Sequence, residues 1–237
     1  MWERLGGEAV PAYSMEWLRV LRPAGLALSV LGDWRSPLKL LRPLQVLVDP
    51  IATRIAGNPF RLPAAAASHA ADADVTDDVL LQTIPQFTAN YPLRPAWDAA
   101  SLAWFLGHAA RKERHGELFR RMVYGKNREP IGCYLYYGHP RGVAWVLQML
   151  AHPKAVEVVV DSLFAHAQAR GNVAIRGRAQ PEYLDALLRR HCLFFHRSST
   201  VVLSRRGELV ETVRCGHALM TGLAGEGWTR LIGGTFA

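Results

Sequence analysis

Gln148 stands in an apolar run over 143–151, Val-Ala-Trp-Val-Leu-Gln-Met-Leu-Ala, that has the length of one strand. A lone amide there can orient an attacking amine or a water, or it can satisfy a hydrogen bond of the sheet itself. Directly after the run come His152, Pro153, Lys154, Ala155 and Val156, a strand-to-helix turn with two basic side chains. The first backbone N–H groups of a helix lack intrahelical partners, so such a turn attracts anions. Pro153 removes one donor, however, and no glycine opens the turn, which suits an ordinary connection equally well. His191 ends a later helical stretch. Its imidazole can exchange protons near neutral pH, or it can serve only as a cation at a helix C-terminus.

Other reactive side chains have weaker patterns. Cys192 with His196, and Cys215 with His217, are zinc-ligand types, but their spacings match no common finger. Ser198 and Ser199 lie outside any Gly-x-Ser-x-Gly elbow. Buried cysteines acting as small hydrophobes are the simpler reading, and no metal site is expected.

The elements that position these residues follow from hydrophobic period. Residues 117–124, 131–137 and 143–151 are strand-like runs divided by turns at Gly125-Lys126-Asn127 and at 138–142. Val156, Val159, Val160, Leu163, Phe164 and Ala167 then make one helical face, which Gly171 stops. Residues 173–177 read as a strand parallel to the third run. The expectation is an α/β fold: a mixed central sheet of antiparallel meander plus parallel strand, splayed after the third meander strand and flanked by helices.

Upstream, Thr76-Asp77-Asp78 caps a helix through Phe87, and Asp98 caps a second that presents Leu102, Phe105, Leu106 and Ala109. Downstream, Pro181 opens a helix with the face Leu184, Leu187 and Leu188. Residues 192–195 and 200–203 read as short strands, 208–214 as a helix and 218–221 as a last strand. The N-terminal part is less regular. Residues 15–21 fit a short helix or an edge segment, and 37–55 fit a helix despite Pro43 and Pro50. The alanine-rich 63–73 fits a linker or a strand-bordering loop. The division expected is a partial extension and linker over 1–73 and a main domain over 74–237.

Composition permits this and narrows partners. Of 237 residues, 50% are hydrophobic, enough for a real core. No run reaches the roughly 18 apolar residues of a membrane span, and no signal-peptide pattern opens the chain. Three scattered cysteines fit reduced thiols in a cytoplasm. The net charge of +8 is dispersed rather than gathered with exposed aromatics, so a solvated basic surface is expected and nucleic acid is not.

Tyr91-Pro92-Leu93-Arg94-Pro95, Ser101-Leu102-Ala103-Trp104-Phe105-Leu106, Gly132 with the following residues to Tyr137, Val146-Leu147-Gln148 and Leu163-Phe164 resemble a bacterial subgroup of the GNAT acyltransferase family. Gly177-Arg178, Gly216-His217-Ala218-Leu219 and Gly225-Glu226-Gly227-Trp228 extend the resemblance, which covers about residues 74–230. The subgroup's members accompany polysaccharide-assembly genes. Trp2-Glu3-Arg4-Leu5-Gly6-Gly7, Trp17 and Leu21-Arg22-Pro23 resemble the end of a preceding half in tandem members.

That resemblance implies transfer of an acyl group from acetyl-CoA or another acyl-CoA to an amine or hydroxyl of a small-molecule acceptor, such as a sugar or envelope precursor. It places pantetheine along Met149, Leu150 and Ala151, and pyrophosphate at His152, Lys154, Ala155 and Val156. The catalytic candidates are Gln148 and His191. The chain departs from the family twice. The Arg/Gln-x-x-Gly-x-Gly/Ala phosphate loop is missing, and Leu188, Arg189, Arg190 and His191 stand where a general-acid Tyr is usual, with Tyr183 about two turns too early. A catalytically degenerate scaffold or binding protein is therefore the alternative. The N-terminal extension is expected to pack on the main domain or on another chain, as in a homodimer.

Overall fold

The computed structural model describes residues 6–27, 71–112, 115–196 and 199–225. The elements are β1 (Glu8–Ala9), α1 (Pro11–Ser14), β2 (Met15–Val20), β3 (Ala71–Asp74), α2 (Asp77–Thr88), α3 (Ala99–Ala110), β4 (Glu117–Tyr124), β5 (Pro130–Gly138) and β6 (Val143–Ala151). There follow α4 (Val156–Ala169), β7 (Ala174–Arg178), α5 (Leu184–Arg189), β8 (Leu193–His196), β9 (Val201–Val202) and α6 (Gly207–Arg214). Among the described residues, seven strands form one mixed sheet in the order β3-β4-β5-β6-β7-β2-β8. Only β6 and β7 pair in parallel, and the long connection a parallel pair requires is supplied by α4. This is the expected mixed sheet of antiparallel meander plus parallel strand, flanked by helices.

The period-2 alternation of β5 divides the core. Tyr134 and Tyr136 face the side covered by α4, where Val156, Val159, Val160, Leu163, Phe164 and Ala167 are all buried. Cys133, Leu135 and Tyr137 face the other side, against Leu80, Ile84 and Phe87 of α2 and Leu102, Leu106 and Ala109 of α3. Each large aliphatic or aromatic side chain removed from water in this way contributes about 1.5–3 kcal/mol. The Asp98 carboxylate accepts from Ser101 N at 2.7 Å, and the Ser101 hydroxyl accepts from Asp98 N, a reciprocal cap that starts α3 where expected.

Several expectations need correction. Residues 15–20 are neither a helix nor an edge segment: β2 runs inside the sheet, antiparallel to both β7 and β8. Trp17 lies opposite Gly177 and Phe194, 1% exposed, with its ring against Phe164 at 5.8 Å. A side chain at Gly177 would meet the Trp17 indole at 2.8 Å, so the glycine makes room for the strand that docks there. Residues 218–221 are correspondingly not a strand. They form one isolated bridge, Leu93 to Ala218, because β2 already holds the free edge of β7.

Residues 71–73, the end of the stretch expected as a linker or strand-bordering loop, join Asp74 in β3, which pairs with β4 as an edge strand; Arg121 ties it down through Asp72 at 2.9 Å and Asp74 at 2.7 Å. The helix 184–189 turns Leu188 outward, not inward. The expected helix over 37–55, residues 63–70 and Trp2 lie outside the described residues.

Trp17→Ala should destabilise the protein by about 3–5 kcal/mol, as removal of a large buried aromatic does. Denaturant unfolding measures this. A loss under 1 kcal/mol would mean that β2 is dispensable to the sheet.

Candidate functional site

The parallel strands part early. Val143, Ala144 and Trp145 pair with Ala174, Ile175 and Arg176, and no pairing continues beyond them. At the same level the β5–β6 register shifts. Tyr136 faces Val146 while Leu135 faces Gln148, leaving Leu147 as an extra residue. Such a bulge bends its strand and strengthens the local twist, which turns β6 away from β7. The gap opens at the C-terminal ends of two parallel strands, the place where α/β sheets gather ligands.

Three polar side chains meet in that gap. After β7, Pro181, Glu182 and Tyr183 form a single 3-10 turn rather than a regular helix. The turn swings Tyr183 inward, where it is 1% exposed and its hydroxyl donates to the Met149 carbonyl at 3.1 Å. Tyr91 lies just beyond the C-terminus of α2. Tyr91 donates to the Glu182 carboxylate, and Asn90 Nδ2 donates to its other oxygen at 3.4 Å. Arg94 Nη1 fixes the Tyr91 carbonyl at 2.6 Å.

Burial sets the proton affinities. It pushes the Glu182 carboxyl above its ordinary range, with the donors Tyr91 and Asn90 only partly opposing the shift. Burial likewise raises Tyr91 and Tyr183, and the neighbouring Glu182 charge adds to it. The cluster thus contains a carboxyl with raised proton affinity in contact with the Tyr91 phenol, and beside it in the chain the Tyr183 phenol, both of which hold their protons firmly.

The other wall is the segment after α6. Gln148 is buried, and its Oε1 accepts from Leu223 N at 2.9 Å while Nε2 donates to the Met149 carbonyl at 3.3 Å. Gly222 has φ +61, and a Cβ there would come 2.2 Å from the Leu147 carbonyl, so only glycine fits against the bulge. Gln180 extends the network, donating to the Ala218 carbonyl at 2.7 Å and accepting from the Thr221 hydroxyl at 3.0 Å.

The remaining sequence candidates are placed as follows. Leu150 and Ala151 are buried on opposite faces of β6. His152 is exposed with its ring centroid 5.3 Å from that of Phe87, edge to face, and Lys154 is exposed in the 3-10 turn Pro153–Ala155. The Ala155 N–H already donates to the His152 carbonyl at 2.8 Å, and Val156 starts α4. Glu157 occupies the first turn of α4, paired with Arg189 at 2.6 Å, so a carboxylate already faces the positive helix end. His191 is exposed and closes α5 with φ 54, its N–H bonded to the Leu188 carbonyl at 2.9 Å.

Gln148 and Met149 therefore share the gap, while His191 belongs to a helix end. Among the described residues, no group of three or more His, Cys, Asp or Glu is placed to hold a metal. Burial pushes the Cys192 thiol up to about 12, keeping it an inert hydrophobe.

Sequence reasoning missed Tyr91 and Glu182 and set Tyr183 aside. Tyr91 precedes Pro92 and entered only as part of the segment 91–95 that carries the resemblance. Tyr183 read as too early in its helix, because the break between the 3-10 turn and α5 has no periodic signature. The one available signal was the polar pair Glu182-Tyr183 immediately after Pro181.

No protein-family model matches the chain, and no curated protein does. Among solved structures it is similar to a functionally unknown conserved protein from Staphylococcus epidermidis ATCC 12228. That likeness has 11% identity and a TM-score of 0.44, and covers 84% of this chain and 62% of the other. It is also similar to a GCN5-related N-acetyltransferase from Kribbella flavida, at 8% identity and TM-score 0.34 over 61% of this chain and 53% of that one. A further GCN5-related N-acetyltransferase structure from Kribbella flavida gives 12% identity and TM-score 0.39, over 84% and 38%. The chain spans less than two thirds of each of these proteins, and with every TM-score under one half the likenesses carry no argument about activity.

Two outcomes follow from this geometry. Glu182 binds its proton more tightly in the folded state than in the unfolded chain, so the folded state holds more protons between the two titrations. Unfolding free energy should then fall as pH rises from the ordinary glutamate value of about 4.3 through the raised one. Glu182→Gln should remove that fall, read as the difference between wild-type and variant melting temperatures across pH. His191→Gly should stabilise the fold by about 1 kcal/mol, because glycine takes the left-handed conformation without a Cβ penalty. An unchanged denaturation midpoint would show that no strain resides there.

Proposed function

We propose that the chain is an acyltransferase that takes its acyl group from an acyl-CoA thioester and delivers it to an amine or hydroxyl of a small molecule in the cytoplasm, such as a sugar or envelope precursor. The observation that carries this reading is the gap between β6 and β7, which opens after three paired residues and exposes the carbonyl edge of β6 to buried proton-handling side chains. Acetyl-CoA or another acyl-CoA supplies the thioester. The protein's part is to hold the donor along Met149, Leu150 and Ala151 and to offer charge at His152 and Lys154. The backbone at Ala155 and Val156 completes the phosphate end.

Only part of that phosphate end suits an anion. The turn has no glycine, one N–H is spent on His152, and Glu157 lies close by. Lys154 and the start of α4 then do most of the holding, so binding is weak and falls with salt.

A second reading has its own observation. Gly222 closes on the Leu147 carbonyl and the Leu223 N–H takes the Gln148 side chain, so the gap is lined by the chain itself. A catalytically degenerate scaffold, joined to a second copy or a partner protein through its N-terminal part, accounts for that closure.

Calorimetry with acetyl-CoA and longer acyl-CoAs separates the two. The acyltransferase reading expects weak, salt-sensitive binding, which Lys154→Ala lowers about tenfold through loss of a charge-assisted contact of roughly 1.5 kcal/mol. Unchanged affinity in that variant removes the phosphate site. No binding at millimolar concentration by a folded protein leaves the scaffold.

A further inference from the structure

We propose that the cavity between α2 and α3 binds a zwitterionic amino acid with an aliphatic or aromatic side chain, at a site separate from the gap between β6 and β7. The cavity holds about 340 Å³. That is the small end of the roughly 300–1,000 Å³ of small-molecule sites, and it suits one ligand with a single apolar side chain. Ile84 and Leu102 are its buried lining, and Leu81, Pro85 and Trp97 are its partly open walls.

The connection between the two helices leaves this space. Its first half is tied elsewhere: Tyr91 is buried with its hydroxyl on Glu182, and Leu93 bridges to Ala218. Its second half, from Pro95 to Asp98, returns to the start of α3 and lines the cavity.

Charge decides the occupant. Arg94 and Asp98 both line the cavity and both are exposed. Arg94 Nη1 donates to the Tyr91 carbonyl at 2.6 Å, and Asp98 Oδ1 accepts from Ser101 N at 2.7 Å. Among the described residues neither forms an ion pair, with the other or with any third side chain. The guanidinium therefore keeps donors to spare, and the carboxylate keeps its second oxygen. The Ser101 N–H holds the Asp98 carboxyl below its ordinary range, so it is ionised at neutral pH.

A cation and an anion thus stand over one apolar lining. A ligand with a carboxylate alone would be repelled by Asp98, and one with an ammonium alone by Arg94. A ligand that carries both meets each charge with its opposite. The wall of α2 adds an acceptor of its own. Pro85 has no N–H, so the helical bond to the Leu81 carbonyl is not made, and both residues line the cavity. An ammonium has three donors, enough for this carbonyl as well as for Asp98.

The test uses the whole chain and L-phenylalanine without acyl-CoA, so that its failure leaves the acyl-transfer reading as it stands. Calorimetry compares L-phenylalanine with phenethylamine, which lacks the carboxylate, with phenylpropionate, which lacks the ammonium, and with glycine, which lacks the apolar side chain. Each should bind about tenfold more weakly or worse, through loss of one charge-assisted contact or of the apolar burial. Asn caps a helix as well as Asp does, so Asp98→Asn keeps α3 and removes only the charge. That variant should bind L-phenylalanine about tenfold more weakly. The Trp97 indole N–H resonance, identified by its loss in Trp97→Phe, should shift when L-phenylalanine is added.

A folded protein that binds no L-phenylalanine at millimolar concentration overturns the site. So does binding that Asp98→Asn leaves unchanged, or a Trp97 resonance indifferent to the ligand. Phenylpropionate or phenethylamine binding as tightly as L-phenylalanine overturns the zwitterion as occupant.

Discussion

The bulge at Leu147 is the constraint on which the site depends. With one extra residue opposite Leu135 and Tyr136, β6 stays in register with β5 on both sides of the irregularity but keeps its parallel partner for only three residues. Every later feature answers that parting. The carbonyls of Leu147 and Met149 are left without a strand to receive them. A buried carbonyl without a partner costs about 1–3 kcal/mol, so other parts of the chain must reach in. Tyr183 meets the Met149 carbonyl, and the Gly222 turn comes against Leu147.

The two walls of the gap are joined by polar rather than apolar contacts, and this has consequences for movement. Gln148, Gln180 and Thr221 bind the 218–224 segment through hydrogen bonds, with Leu223 as its buried apolar anchor. Net contributions of such bonds are about 0.5–1.5 kcal/mol each, because water can replace them. The polar bonds of this wall can be exchanged for those of a ligand at modest cost as long as Leu219 and Leu223 keep their buried places. Acyl transfer and closed scaffold differ only in whether that exchange takes place.

The N-terminal strand shows how chain order and sheet order can separate. β2 fills the position between β7 and β8, some 160 residues away in sequence, and Trp17 packs against Gly177 on one side and Phe164 below. Because β2 donates to and accepts from both neighbours, the segment around Ala218 is released from the sheet. It is free to bond Tyr13 and Gln180 instead. The wall of the gap is thus made by a segment that bonds to the ends of other elements, while a strand from the other end of the chain lies beside β7.

The sequence by itself determined what short-range physics controls. The meander and α4 were legible because Tyr134 and Tyr136 alternate with Cys133 and Leu135, and because Val156, Val159, Val160, Leu163 and Phe164 repeat at the helical period. Asp98 announced its helix because a cap acts within one turn. The turn at 152–156 and the residue Gln148 were also visible, though not what they bond to.

Tertiary structure alone decided the rest. Met15–Val20 is too short and too mixed for its period to say helix or strand, and its position depends on Gly177 and Phe194 far along the chain. Tyr91, Glu182 and Tyr183 became a cluster only when a single 3-10 turn met the end of α2, a meeting that leaves no periodic trace. Local patterns record the energy of a residue with its near neighbours, whereas a site at a splayed strand pair is made of contacts whose energy appears only after the sheet has closed.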